Sequence, residues 1–127
     1  MTVEPRTRVL HELAATIRAR RADTSGKSYT RQLLDAGPER CAKKLGEEAV
    51  EVVIAAVGQD DAALRAEAAD LLYHLLVVLE GRNISLDDVL GVLADRIGTS
   101  GLAEKAARGG AMQGEAAGKV AGEVPGA

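Results

Sequence analysis

Two long stretches of helix-type apolar spacing, 38 to about 57 and about 62 to 80, lie only a few residues apart in this chain. That arrangement constrains the fold more than anything else in the sequence. Gly37 and Pro38 open the first stretch; proline suits a first helical position, where its missing N–H would have no intrahelical partner. Gly58 stands at the end of that stretch, and Asp60 or Asp61 offers a carboxylate to cap the next. Gly81 is placed to terminate the second stretch. A connection this short makes the two helices antiparallel neighbours.

Shorter elements flank the pair. Val9, Leu10, Leu13 and Ile17 recur at helical spacing and predict a helix from Val9 to Arg20. Ala22–Ser28 reads as a loop, and Ser28 caps a short helix through Tyr29, Leu33 and Leu34 that Gly37 ends. Ser85 and Asp88 form a Ser-x-x-Asp start signal of capping-box type, with Ile84 placed to staple against Val89. The helix they open ends near Ile97, before Gly98. Thr99-Ser100-Gly101 is a turn into a short helical stretch, Leu102 to Ala107. The segment after Arg108 is almost entirely small or polar. It lacks the apolar surface to offset its ordering entropy and is expected to be disordered. The expected organisation is one domain, 1–108, with a Gly/Ala-rich tail, 109–127.

No stretch alternates in the manner of a strand. The apolar residues are mostly Ala, Val, Leu and Ile, with two Tyr and no Phe or Trp, so the core is aliphatic and thin. Two long helices with aliphatic stripes cannot enclose a core between them. The expected fold is therefore all-α, two long antiparallel helices plus shorter ones, with a four-helix-bundle core formed by homodimerisation.

Several function classes are disfavoured. A net charge of −3 with scattered Lys and Arg gives no footprint for nucleic acid. The one cysteine, Cys41, fits a reducing compartment and a small core position. No secretory h-region is visible at the N-terminus, and the apolar run Leu75–Leu79 is far too short for a membrane span. The expectation is a soluble, cytoplasmic protein. Gly26-Lys27-Ser28 resembles the end of a phosphate-binding loop, but Arg21 stands where the first glycine belongs and no strand precedes it.

The chemistry lies in the acids. Glu48 and Glu51, then Glu67 and Asp70, are two i, i+3 pairs, with Glu47 one residue upstream; residues three apart are helix-surface neighbours. At about 100° per residue, Glu47, Glu48 and Glu51 border a stripe of Leu45, Ala49, Val52 and Ala56. Glu67 and Asp70 border one of Leu64, Ala68, Leu71 and Leu75. Packed face to face, the helices bring both acidic arcs to the rim of one core. Like charges ~4 Å apart repel by ~4 kcal/mol at an effective dielectric near 20. A hard divalent cation, Mg²⁺ or Mn²⁺, with all-oxygen ligation removes that penalty; solvated surface charge is the alternative. Lys44 lies on the same arc, either to meet a phosphate oxygen or to pair with Glu48 four residues on; Lys43 and Arg40 are less well aimed. His74, four residues after Asp70, either approaches the cluster or packs in the core, and Tyr73 reads as structural.

E-E-x-x-E at Glu47, Glu48 and Glu51, followed by E-x-x-D at Glu67 and Asp70, resembles the all-α, MazG-type nucleoside triphosphate pyrophosphohydrolases. Within them, SYTRQLL, GPERCAKKLGEEAVEVVIAA, EAADLLYHLLVVL, ISLDDV and GTSGLAEKAAR are similar to the phosphoribosyl-ATP pyrophosphatase family, over roughly residues 9 to 108. The resemblance implies hydrolysis of phosphoribosyl-ATP to phosphoribosyl-AMP and pyrophosphate in histidine biosynthesis. It also implies Mg²⁺ (or Mn²⁺ in its place) on Glu48, Glu51, Glu67 and Asp70. Glu47 is then a further ligand or, like Glu48, a catalytic carboxylate, since spacing does not say which acid activates water. Lys44, Lys43 and Lys105 would contact phosphate, and the turn Gly98–Gly101 either offers backbone N–H groups to a phosphate or ends a helix. A house-cleaning pyrophosphohydrolase would share the metal site. A di-iron bundle would need Glu-x-x-His, which Glu51 and Asp70 do not supply. A metal-free scaffold would leave the acids uncompensated.

Overall fold

The computed structural model describes residues 6–98 and 108–109. Among the described residues five helices follow one another: α1 (Val9–Arg20), α2 (Tyr29–Ala36), α3 (Pro38–Gly58), α4 (Asp61–Gly81) and α5 (Leu86–Ile97). No strand occurs among the described residues. The chain divides into two compact units, Met1–Val89 and Leu90–Ala127. The first holds α1 to α4 and the opening turn of α5; the second begins within α5. The expected helix at Leu102–Ala107 and nearly all of the 109–127 tail lie outside the described residues.

The helix starts follow from capping chemistry. The Ser28 hydroxyl accepts a hydrogen bond from the Arg31 N–H at 3.0 Å, Asp60 Oδ1 accepts from Ala63 N–H at 2.9 Å, and Pro38 takes the first turn of α3. The two side-chain caps each satisfy an N–H that the first helical turn leaves without an intrahelical partner, and Pro38 has no such N–H to satisfy. At α5 the capping box closes in both directions: Asp88 N–H donates to Ser85 Oγ at 3.0 Å, and Ser85 N–H donates to Asp88 Oδ2 at 3.1 Å. Gly37 separates α2 from α3 at φ 102°, a left-handed conformation in which a Cβ is disfavoured.

The ends differ from expectation. α3 runs through Gly58 and stops at the extended Gln59. α4 runs through Gly81 and is terminated by Asn83, the one non-glycine residue at positive φ among those described (59°). There Ile84 N–H donates to Leu79 O at 2.9 Å and Asn83 N–H donates to Glu80 O at 3.0 Å, the paired bonds of a Schellman motif. Asparagine tolerates the left-handed region better than most side chains. The Arg21 guanidinium holds it further, donating to Asn83 Oδ1 at 3.0 Å, to Glu80 Oε2 at 2.7 Å and to Glu80 O at 3.2 Å. One arginine thus ties the end of α1 to the end of α4.

α3 and α4 pack together as an antiparallel hairpin, and α1 and α2 both contact α4. The core is aliphatic: Ile17, Leu33, Leu76 and Val77 are buried with Cys41, and Leu10, Leu13, Leu34 and Leu79 pack around them. Cys41 takes the small core position expected of it, its Sγ–H donating to Leu33 O at 3.2 Å. On α4, however, the buried residues are His74, Leu76, Val77 and Glu80, while Leu64, Leu71 and Leu75 are half-buried. The cause is tertiary: α1 and α2 cover the other flank of the acids from the stripe the sequence suggests. Val50, Val53, Ile54 and Val57, at i, i+3, i+4 and i+7 on α3, remain exposed, as does Leu72 on α4.

Candidate functional site

Glu48 on α3 meets Glu67 and Asp70 on α4, one carboxylate oxygen from each lying within 4.8 Å of the others. Glu48 and Glu67 are half-buried and Asp70 is exposed. The hairpin produces this meeting: antiparallel helices joined by Gln59 and Asp60 place the middle of α3 opposite the first half of α4. At about 100° per residue, Glu48 falls between Cys41 and Ala55 on the inward side of α3, both of which are buried. The acid therefore points into the hairpin, and the exposed valine-isoleucine stripe faces the opposite way.

The cluster carries its repulsion in the Glu67 carboxyl, which is held above its ordinary value. Burial is the first cause; the charges of Glu51, Asp70 and Glu48 follow in that order. Glu51 is exposed and lies outside the converging trio, yet near enough to disfavour ionisation of Glu67. Among the described residues, none of Glu48, Glu51, Glu67 and Asp70 forms an ion pair.

Glu47 is engaged elsewhere. It pairs with Lys44 at 3.2 Å across one helical turn, so the partner of Lys44 is Glu47 at i+3 rather than Glu48 at i+4. That hydrogen bond is the main reason the Lys44 ammonium is held above its usual range, with the charges of Tyr29, Glu47 and Glu48 adding to it. Lys43 is exposed on α3. Lys105 and residues 99–101 of the glycine turn lie outside the described residues.

His74 takes the packed position. It is buried, and its Nδ1 has no hydrogen-bond partner. Its ring meets Tyr73 edge-on, with centroids 4.9 Å apart. Burial pushes its pKa down, against an opposing pull from Glu48 and Asp70, so the imidazole is neutral at physiological pH. Tyr73 is structural in the expected sense, its hydroxyl hydrogen-bonded to Thr30 Oγ1. Gly26-Lys27-Ser28 forms no phosphate loop, because Ser28 is buried and its hydroxyl caps α2.

The donor set suits a hard cation. Oxygens on opposite sides of an octahedral Mg²⁺ stand about 4.2 Å apart, close to the spread of the trio, and a divalent charge would relieve the repulsion that raises Glu67. Two features escaped sequence reasoning. The Arg21–Glu80 pair joins residues far apart in the chain; its one signal is that Glu80 shares the face of Tyr73 and Val77. The exposed Tyr29 ring beside Tyr73 could have been noticed from the scarcity of aromatic residues.

The family model described as Phosphoribosyl-ATP pyrophosphohydrolase matches residues 10–97. Proteins named phosphoribosyl-ATP pyrophosphatase are similar over most of their length. The Ruegeria pomeroyi protein is 57% identical over 100 residues, covering 79% of this chain and 95% of its own. That of Rhodobacter capsulatus is 58% identical over 100 residues, covering 79% and 97%, and that of Nitrobacter winogradskyi 58% over 99 residues, covering 78% and 85%.

Proposed function

The chain belongs to the phosphoribosyl-ATP pyrophosphohydrolase family, and from that premise we propose that it hydrolyses phosphoribosyl-ATP to phosphoribosyl-AMP and pyrophosphate in histidine biosynthesis. The observation that carries the reading is the convergence of Glu48, Glu67 and Asp70 without a compensating cation among the described residues.

Glu48, Glu67 and Asp70 would hold Mg²⁺, or Mn²⁺ in its place, with Glu51 at the edge of the set. Bound there, the cation would neutralise charge on the phosphate oxygens and acidify water. Glu48, Glu67 and Asp70 would hold the cation where α3 faces the first half of α4, and through it would anchor the polyphosphate. Glu47, outside the trio and held by Lys44, orients the attacking water and accepts its proton; Glu48 is the alternative base. Attack at the α-phosphorus breaks the α–β anhydride, and the leaving pyrophosphate carries the displaced charge. Lys44 is half-buried beside the acids and meets a phosphate oxygen as a point charge; Lys43, exposed on the same helix, and Lys105, outside the described residues, are the further candidates for phosphate contact that the family resemblance implies.

A second copy of the chain completes the fold in this reading. Val50, Val53, Ile54 and Val57 of α3 and Leu72 of α4 are exposed. Burying such side chains is worth roughly 1.5–3 kcal/mol each. Docking this hairpin on its twin covers them in a homodimeric four-helix bundle. The working compartment is the cytoplasm. No helix among the described residues is long and apolar enough to cross a membrane.

Parallel turnover of phosphoribosyl-ATP, ATP and deoxynucleoside triphosphates, with and without Mg²⁺, tests the assignment. Pyrophosphate released from phosphoribosyl-ATP alone, and only with the metal, is expected. Equal rates on all substrates would make the chain a general nucleotide pyrophosphohydrolase.

A further inference from the structure

The chain contains two tyrosines, no phenylalanine and no tryptophan, and both rings lie in one patch. Tyr29 and Tyr73 are 6.5 Å apart between centroids and within 20° of parallel. His74 stands as a wall against both, at 86° to Tyr29 and 82° to Tyr73. The core needs no aromatic: its buried apolar residues are aliphatic or thiol. Tyr73 is fixed by Thr30 and packs against that core, whereas the Tyr29 ring above it is 49% exposed.

The patch borders the acidic site. On α4, Tyr73 and His74 follow Asp70 by three and four residues, which puts them one turn along the same face. On α3, Lys44 precedes Glu48 by four residues and lies close enough to Tyr29 for the two to interact electrostatically. An exposed ring one turn from the groups that hold a polyphosphate is where a nucleotide would place its base. Aromatic side chains stack nucleobases in a way that depends on the π-face and not on a hydrogen-bond pattern.

We propose that Tyr29, supported from below by Tyr73 and walled by His74, is the surface on which the adenine ring of the substrate stacks. The inference rests on the nucleotide-hydrolysing reading of the acidic site and assigns its base subsite. Thr30 and Tyr73 are positioning residues for the stack. The position of Tyr29, first in α2 directly after the Ser28 cap, keeps the ring at a rigid helix start.

Two readouts test it. The first is steady-state turnover of phosphoribosyl-ATP. Tyr29→Leu is expected to raise KM roughly ten-fold with kcat within about two-fold, while Tyr29→Phe keeps both constants near those of the wild type. Unchanged KM in Tyr29→Leu overturns the proposal, and so does an equal loss in both variants, which would assign the effect to the hydroxyl.

The second readout needs no turnover. With no tryptophan present, the Tyr73→Phe variant has Tyr29 as its only strong fluorophore. Its emission should be quenched on titration with AMP and not with ribose 5-phosphate, and circular dichroism checks that the variant is folded. Should the wild-type chain fail to act on phosphoribosyl-ATP, the activity assignment falls. The titration still decides the stack: quenching by AMP upholds it, and emission that neither sugar phosphate nor nucleotide changes overturns it.

Discussion

The two ends of α4 treat a carboxylate in opposite ways. Near its C-terminus, Glu80 is buried and answered by Arg21 at 2.7 Å, whose guanidinium also reaches Glu80 O and Asn83 Oδ1. In its first half, Glu67 and Asp70 meet Glu48 with no cation paired to any of the three among the described residues. One end is finished as a structural joint; at the other, burial first and like charges second hold the Glu67 carboxyl above its ordinary value. An acid with its counter-charge built in holds helices together, whereas the acids without one are where the proposed cation would sit.

The sharpest way to break this contrast is to neutralise the uncompensated end. Glu48→Gln or Asp70→Asn should lower Mg²⁺-dependent pyrophosphate release by roughly a hundred-fold or more, the scale on which losing one charge-stabilising group acts. Helical content by circular dichroism should stay the same. Unchanged turnover in both variants would mean that the trio is surface charge.

The compensated end should respond in the other currency. Arg21→Met strands Glu80 and should cost about 2 kcal/mol in urea unfolding, less than a fully buried pair would, since the Arg21 side chain is 41% exposed. Activity per folded molecule should be preserved. A variant that loses activity in proportion while keeping its stability would erase the distinction between the two ends.

Lys44 tests the border between the regimes, as a half-buried cation one turn from Glu48 that is bound to Glu47. Lys44→Met should raise KM for phosphoribosyl-ATP by roughly five-fold, as loss of one solvent-screened charge–phosphate contact would. A change in kcat alone would assign it to holding Glu47 instead.

The smallest effect is in pH dependence. Glu67 titrates above its ordinary value of 4.5 in the metal-free fold. Between 4.5 and that raised value the folded chain binds more protons than the unfolded one, so stability falls as pH rises through the window. Acidifying metal-free protein should therefore shrink the Tm advantage of Glu67→Gln over wild type. Saturating Mg²⁺, which favours the charged carboxylate, should turn that advantage into a deficit at neutral pH. A difference in Tm indifferent to both pH and metal would count against the cluster.

Much of this was legible in the chain because it is local. Ser28, Asp60 and the Ser85–Asp88 box mark helix starts through bonds spanning three residues, and Pro38 marks one through the N–H it lacks. The i, i+3 spacing of the acids pointed to four residues, of which Glu48, Glu67 and Asp70 converge. What was not legible depends on neighbours far away in sequence. Gly81 looked like a stop, but Arg21 secures the left-handed turn two residues later at Asn83. The Leu64–Leu71–Leu75 stripe looked like the core face of α4, but α1 and α2 settle on the flank carrying Val77 and Glu80. Glu51 looked equal to Glu48, yet Glu48 falls on the inward side of α3 and Glu51 is left at the rim.

The lone thiol of Cys41 turns this architecture into its own gauge. Burial raises its pKa and its S–H is engaged by Leu33 O, so alkylation is expected to be slow while α2 stays packed on α3. With no other cysteine in the chain to compete, the speed of labelling at mild pH measures how often that seam opens. A ligand that holds α2 against α3 would register as a slower reaction at a sulfur it never touches.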